Sequence, residues 1–421
     1  MKPRPTQAVL ASSALARAAL LACAALTVMS GTTLAPALPS IRHAFAREPD
    51  VDWLVRLVVT MPALAIALTA PWVGRIADRL GARSVLLFCL VLYGSAGASG
   101  LFLGDLRAIL VCRGLLGVAA AGTMTASTAI AAATLDGDDR TRFLARQASL
   151  MSLTGVASVT VGGLLAAVHW RAPFVLYLTA LPLIALVRGA ISAPSRPQVE
   201  LTRRKNLEDN RSLVRVEQGS PSGESRSRIY GLAVMAMAFV FMVPLEVPLL
   251  LSSGGPRLAG LAVATNTLSA AGSSLLFGRR RPRAPSATAW VARSFALMGA
   301  GYFLLGSFDT LAPRLAGLAL AGVGSGWIMP SLSRSLVLAT DERTRARSIG
   351  MLTSSVYAGQ FLSPALSALF GERGALSSAF LVASGALVAL AVALAVTATA
   401  GRTTERSPSE NARGAAEMNT A

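Results

Sequence analysis

A single carboxylate stands well inside an apolar stretch of this 421-residue chain, Glu246. A carboxylate in a low-dielectric cavity meets the physical requirement for taking up and releasing a proton during a conformational cycle, because burial disfavours the charged form. Pro244, Pro248 and Ser252 mark the end of the same apolar run, so a second reading has Glu246 reaching the water interface. Three arginines, Arg56, Arg113 and Arg293, also fall within apolar runs, where an unpaired charge is expensive and must find a partner, a wet cavity or an interface. Facing a cavity, they would favour a small anion. Arg113 in particular either takes part in proton transfer or substrate charge recognition, or ties helices together through backbone carbonyls. Trp327 and Met329, with the Met- and Phe-rich run Met235 to Met242, could line an adaptable apolar cavity. Gln360, near Ser354, Ser355 and Tyr357, could hydrogen-bond a ligand or a neighbouring helix.

Other chemistries find no residues to carry them. The two histidines, His43 and His169, lie far apart in sequence, and no metal-ligand spacing, nucleophile elbow or phosphate-binding loop is present. The three cysteines, Cys23, Cys89 and Cys112, sit within apolar runs and read as small buried hydrophobes. The expectation is a non-enzyme with no cofactor and no metal, and without an ATP-driven step.

Positioning these residues requires a membrane. The chain is 53% hydrophobic and only 14% charged, against about 25% charged for a soluble domain. Twelve apolar runs can be counted, at about 18–38, 53–73, 84–104, 109–133, 149–168, 174–191, 229–251, 258–277, 290–308, 315–338, 348–370 and 375–398. Most are close to the ~20 residues that span a bilayer as a helix. The net charge of +18 would indicate a nucleic-acid partner, except that most basic residues fall in the tails and in loops of one parity. That is the positive-inside bias, with both termini cytoplasmic and no nucleic acid needed. The polar stretch from 193 to 228 reads as a disordered cytoplasmic linker between an N-terminal half, 1–192, and a C-terminal half, 229–400. Residues 401–421 read as a cytoplasmic tail. The halves repeat: Asp138-Asp139-Arg140-Thr141-Arg142 follows the fourth run and Asp341-Glu342-Arg343-Thr344-Arg345 follows the tenth.

Between the second and third runs lies Gly74-Arg75-Ile76-Ala77-Asp78-Arg79-Leu80-Gly81-Ala82-Arg83. Charges this dense cannot lie in hydrocarbon, and Gly81 permits a backbone reversal that a side chain would hinder. The stretch resembles the signature loop of the major facilitator superfamily, roughly G-x-L-x-D-R-x-G-R-R, with Gly74, Asp78, Arg79, Gly81 and Arg83 matching and Ile76 and Ala82 departing from it. Arg113-Gly114-Leu115-Leu116-Gly117 is similar to the family's R-x-x-Q-G motif with Leu116 in place of Gln, and Trp170-Arg171-Ala172-Pro173-Phe174 resembles the start of its sixth helix. Thr60-Met61-Pro62-Ala63-Leu64 resembles a bacterial subgroup of efflux permeases. Proton antiporters of the family carry a G-P dipeptide in the fifth helix; here Ser158-Val159 occupies that place, ahead of the glycine pair Gly162-Gly163.

The resemblance implies an all-α polytopic membrane protein of twelve transmembrane helices in two pseudo-symmetric six-helix halves, the major facilitator fold. It further implies a monomeric secondary transporter in a bacterial cytoplasmic membrane. The expected function is proton-coupled efflux of a small amphipathic molecule by alternating access. The alternatives are an importer or exchanger of a small nutrient or organic anion, and a non-transporting receptor or scaffold. By the same resemblance, Asp78 holds the cytoplasmic ends of the two halves together, with Arg79, Arg83 and the start of the eleventh span as partners.

Overall fold

The structure is a computed structural model, and it describes residues 14–135, 137–191, 225–279, 287–340, 342–370 and 376–418. Most of the expected linker, 193–228, lies outside these residues, as does Asp341. Among the described residues the chain is helical, without strands.

The first half holds α1 (Ala14–Thr32), α2 (Val51–Leu80), α3 (Ala82–Ala98), α4 (Leu106–Thr134), α5 (Gly137–Ala166) and α6 (Ala180–Ala190). The second holds α7 (Arg226–Leu250), α8 (Gly255–Arg279), α9 (Ala287–Ser307), α10 (Leu311–Ser325), α11 (Glu342–Phe370) and α12 (Leu376–Met418). Among the described residues ten helical segments, some running on through an adjoining 3₁₀ turn or short helix, are long and apolar enough to cross a membrane. α8 and α11 are not among those ten, although they pack in the same bundle. The outer surface is greasy: Phe88, Val111 and Leu275 are each about two-thirds exposed. Lipid, not water, suits such side chains.

Several elements differ in detail from the expected runs, each for a local reason. α1 gives way to a 3₁₀ turn, Ala35–Ala37, and a short helix, Leu38–Ala44, because Pro36 and Pro39 each lack an N–H to continue the ladder. α6 is likewise preceded by a 3₁₀ stretch, Ala172–Thr179, that starts with Pro173 at its first turn. The tenth run is broken after Ser325 and resumes at Ile328–Leu338. Pro330 cannot donate to the carbonyl of Gly326, and Gly324-Ser325-Gly326 favours the break. Of the repeated acidic-basic stretches after runs four and ten, residues 138–142 lie in the opening turns of α5 and residues 342–345 in those of α11.

The halves pack alike, each around its own apolar core. In the first, the Tyr93 hydroxyl on α3 donates to the Leu26 carbonyl of α1 at 2.7 Å. In the second, Tyr302 on α9 donates to the Phe239 carbonyl of α7. Gly117 of α4 lies against the Pro62 carbonyl of α2, as Gly322 of α10 lies against the Asn266 carbonyl of α8. Small residues let these backbones approach, which is how membrane helices gain contact when lipid is as apolar as a side chain.

Candidate functional site

The site lies where the two halves meet, at the end of the bundle formed by the start of α2 and the ends of α7 and α11. Arg56, on the second turn of α2, donates from Nε to Glu246 Oε1 at 2.8 Å and from Nη2 to Glu246 Oε2 at 3.0 Å. Glu246, near the end of α7, is fully buried. The Ser367 hydroxyl on α11 donates to Glu246 Oε1 at 2.7 Å, and Arg56 Nη1 is held by the Asp52 carbonyl at 3.0 Å. A carboxylate gripped at both oxygens by a planar guanidinium is the strongest hydrogen-bonded pairing two side chains make. This one joins helices of opposite halves. Pro244 and Pro248 remove N–H donors around Glu246, and α7 stays helical through both.

The pair forms the floor of a cleft of about 840 Å³ that opens at this end of the bundle. Arg42 Nε donates to Asp52 Oδ1 at 2.5 Å on one wall, and His43 and Asp50 stand exposed at the rim. Below the pair the halves are sealed by apolar contact: Phe241 and Leu245 of α7 belong to the core of the first half, and Val159 of α5 to that of the second. At the same end α5 and α8 touch backbone to backbone. A Cβ added at Gly163 would lie 2.8 Å from the Pro256 carbonyl and 3.0 Å from Gly260 Cα.

The other residues singled out in the sequence are not drawn into this cleft. Arg113 is buried inside the first half, donating from Nε to the Val58 carbonyl at 2.8 Å, from Nη1 to the Tyr177 hydroxyl at 2.8 Å, and from Nη2 to the Ser30 carbonyl. Its guanidinium also lies 5.2 Å from the Tyr177 ring centre. Trp327 packs edge-on against Trp290 of α9 at 5.5 Å, within the second half. Gln360 is half-buried on α11, two turns before Ser367. Arg293 is exposed, stacked over the Trp290 ring at 5.0 Å.

The signature stretch lies at the opposite end. α2 is 30 residues long, so about 45 Å separates its two ends at 1.5 Å per residue. Gly81 adopts φ 88°, in the region that favours glycine, and closes α2 with its N–H on the Ala77 carbonyl at 2.9 Å. Arg83 donates to the Arg188 carbonyl at 3.2 Å, which ties this turn to α6. Arg79 is exposed and Gly74 has open space around it. Asp78 sits on the last turn of α2; its side chain lies outside the described residues.

Sequence reasoning singled out both members of the pair and did not join them. It missed Ser367 and Tyr177. Ser367 carried a signal, one turn after Pro364 on the helix already noted for its hydroxyl residues; Tyr177 carried none beyond its place in the sixth run.

Two similarly packed halves, enclosed by lipid-facing side chains and joined at one end by a buried ion pair, define a polytopic helical membrane transporter. The chain belongs to the Major Facilitator Superfamily, whose family model matches residues 20–250 and again 229–419. No curated protein matches it in sequence. Solved structures share the fold at low identity. A peptide transporter in complex with alafosfalin superposes with a TM-score of 0.72 at 12% identity, covering 94% of this chain and 97% of its own. A D-xylose–proton symporter gives 0.70 at 13%, covering 91% and 97%. The human organic anion transporter MFSD10 gives 0.60 at 20%, covering 93% and 100%.

Proposed function

We propose that this chain carries a small amphipathic molecule across the cytoplasmic membrane by alternating access, coupled to protons through Glu246, with all twelve helical runs crossing. The observation that carries the reading is the buried Arg56–Glu246 pair between the halves. The charge bias of the loops makes the Gly81 turn cytoplasmic and the Arg56–Glu246 end external. The protein is then closed outside, with the ion pair, the Phe241 and Leu245 contacts and the α5–α8 glycines forming the closure. Breaking a buried pair while both charges remain costs several kcal/mol. Protonating Glu246 removes one charge, and with it most of the attraction that keeps the external end shut. Rocking of the halves about the site exposes it alternately to each side. Asp78, with Arg79 and Arg83, secures the cytoplasmic end when the external end is open.

The test is flux in proteoliposomes of the purified chain with an imposed pH gradient, against a panel of lipophilic dyes and small metabolites. Movement of a panel member that follows the pH gradient and collapses with a protonophore is expected. Flux of a transported compound that ignores the gradient would overturn proton coupling. Export by proton exchange, the direction expected from the family resemblance, is read in the same vesicles from whether protons move against or with the compound.

A further inference from the structure

We infer that the Arg56–Glu246 pair is a joint seat for a proton and an anion, so that this chain cotransports a proton with an amphipathic monoanion. The inference rests on the proton coupling proposed above and fixes its sign and its substrate class.

The charges around the pair decide the matter. Arg56 spends Nε and one N–H of Nη2 on Glu246 and one N–H of Nη1 on a backbone carbonyl, so its Nε/Nη2 fork is closed to a ligand carboxylate while Glu246 is in place. On the first-half wall of the cleft, the Asp52 carboxylate is already held by Arg42, and both belong to the same half, so that pair moves as a unit. Asp50 and His43 stand in water at the rim. On the second-half wall the cleft is lined by Leu249, Leu376, Ala379, Ser252 and Ser367, and among the described residues Glu246 is its one charged lining residue. When the halves part with Glu246 protonated, the described residues of that wall are neutral and largely apolar. The facing wall then retains one partly desolvated guanidinium whose carboxylate has gone.

An unpaired guanidinium in such a place is costly, and its planar fork fits a carboxylate-like group. The ligand so recognised bears one negative charge, with an apolar body to cover Leu249, Leu376 and Ala379. A cation would be repelled by Arg56, and a neutral molecule would leave it unpaired. A proton on Glu246 vacates Arg56 for the anion. Conversely, an anion on Arg56 displaces the Glu246 carboxylate, which then takes a proton from solution, with no covalent change in the ligand. The coupling is reciprocal and positive. Exchange would demand the opposite, a proton that expels the substrate. Cotransport with an inward proton gradient is uptake, which reverses the direction expected from the resemblance at Thr60 to Leu64.

The experiment uses the purified full-length chain in a weakly buffered detergent solution, with hexanoate and phenylacetate as probes and hexanamide and hexylamine as controls. Isothermal titration and a pH electrode read binding and proton movement together. The expected result is carboxylate binding with uptake of one proton per anion. Affinity should fall about tenfold per pH unit as pH rises, the slope for one linked proton. Glu246→Gln should bind the anions with no proton uptake and no pH slope, and Arg56→Gln should lose binding; Arg56→Lys, which keeps the charge, should retain weakened binding. Proton release on binding, preference for the amine or amide, or no saturable binding of any carboxylate would overturn cotransport of an anion. Those results leave proton coupling standing if the vesicle flux still follows the pH gradient. Anion binding without proton uptake, together with flux that ignores the gradient, sinks the coupling reading itself.

Discussion

Replacing Gly163 by alanine tests the external closure where the geometry is tightest. The added Cβ would lie 2.8 Å from the Pro256 carbonyl oxygen and 3.0 Å from Gly260 Cα, where ordinary contact begins at 3.4 Å. Both obstacles are backbone atoms of α8, so neither can swing aside as a side chain would. The closed arrangement must yield by about half an ångström or part. Overpacking of this kind costs about 1–3 kcal/mol, and the open state, in which the two backbones separate, escapes it. The closed-to-open ratio should therefore shift by about 5- to 150-fold. Ser363 supplies the reporter. It is fully buried one turn before Ser367, and its hydroxyl has no hydrogen-bond partner among the described residues, so Ser363→Cys breaks no hydrogen bond there. With Cys23, Cys89 and Cys112 replaced, a membrane-impermeant maleimide added outside should modify this cysteine faster in Gly163→Ala by that factor. Gly260→Ala, whose Cβ meets Gly163 Cα and the Val159 carbonyl at 3.2 Å, should give a smaller increase. An unchanged labelling rate in correctly folded Gly163→Ala would refute the claim that α5 and α8 seal the external end.

Three further outcomes are expected. Glu246→Gln keeps the shape and removes the charge, so its transport rate should lose the pH dependence of the parent's; a parallel profile would make Glu246 a bystander. Asp78→Asn should insert normally, as judged by membrane yield, yet transport at a small fraction of the parent rate, and parent-like flux would remove Asp78 from gating. Arg113→Leu surrenders three hydrogen bonds inside the first half, worth about 0.6–1.7 kcal/mol each between membrane helices, and should lower stability by about 2–5 kcal/mol. Thermal unfolding in detergent measures this. Unchanged stability with lost transport would instead give Arg113 a part in the chemistry.

Much of the architecture was legible because the bilayer imposes it. Length and hydropathy place helices, and the recurrence of one charged pattern after runs four and ten marks two halves. The turn at Gly81 was readable because a glycine between charges after a long helix has few other uses, and its φ of 88° agrees. Glu246 stood out because carboxylates within apolar runs are rare. What could not be read is which distant residue meets it. Arg56 lies 190 residues away, and nothing in either neighbourhood encodes the approach of α2 to α7. The same holds for Gly162-Gly163: the pair announces close packing, but its partner on α8 comes from the docking of the halves. The break after α10 has a signal in Pro330 and its glycines, but the apolar run continues through it and hides the interruption.

Arg113 carries a consequence for how the chain is made. Handed to the membrane alone, α4 would bring an uncompensated guanidinium two turns in from its start, an expensive group to leave in hydrocarbon. Two of its acceptors, on Ser30 and Val58, precede it in synthesis, while the Tyr177 hydroxyl follows 64 residues later. The arginine is thus fully satisfied only after the 3₁₀ stretch leading into α6 has emerged. The order of synthesis therefore matters to this side chain: a fragment that ends before Tyr177 holds Arg113 with one acceptor fewer than a fragment that ends after it.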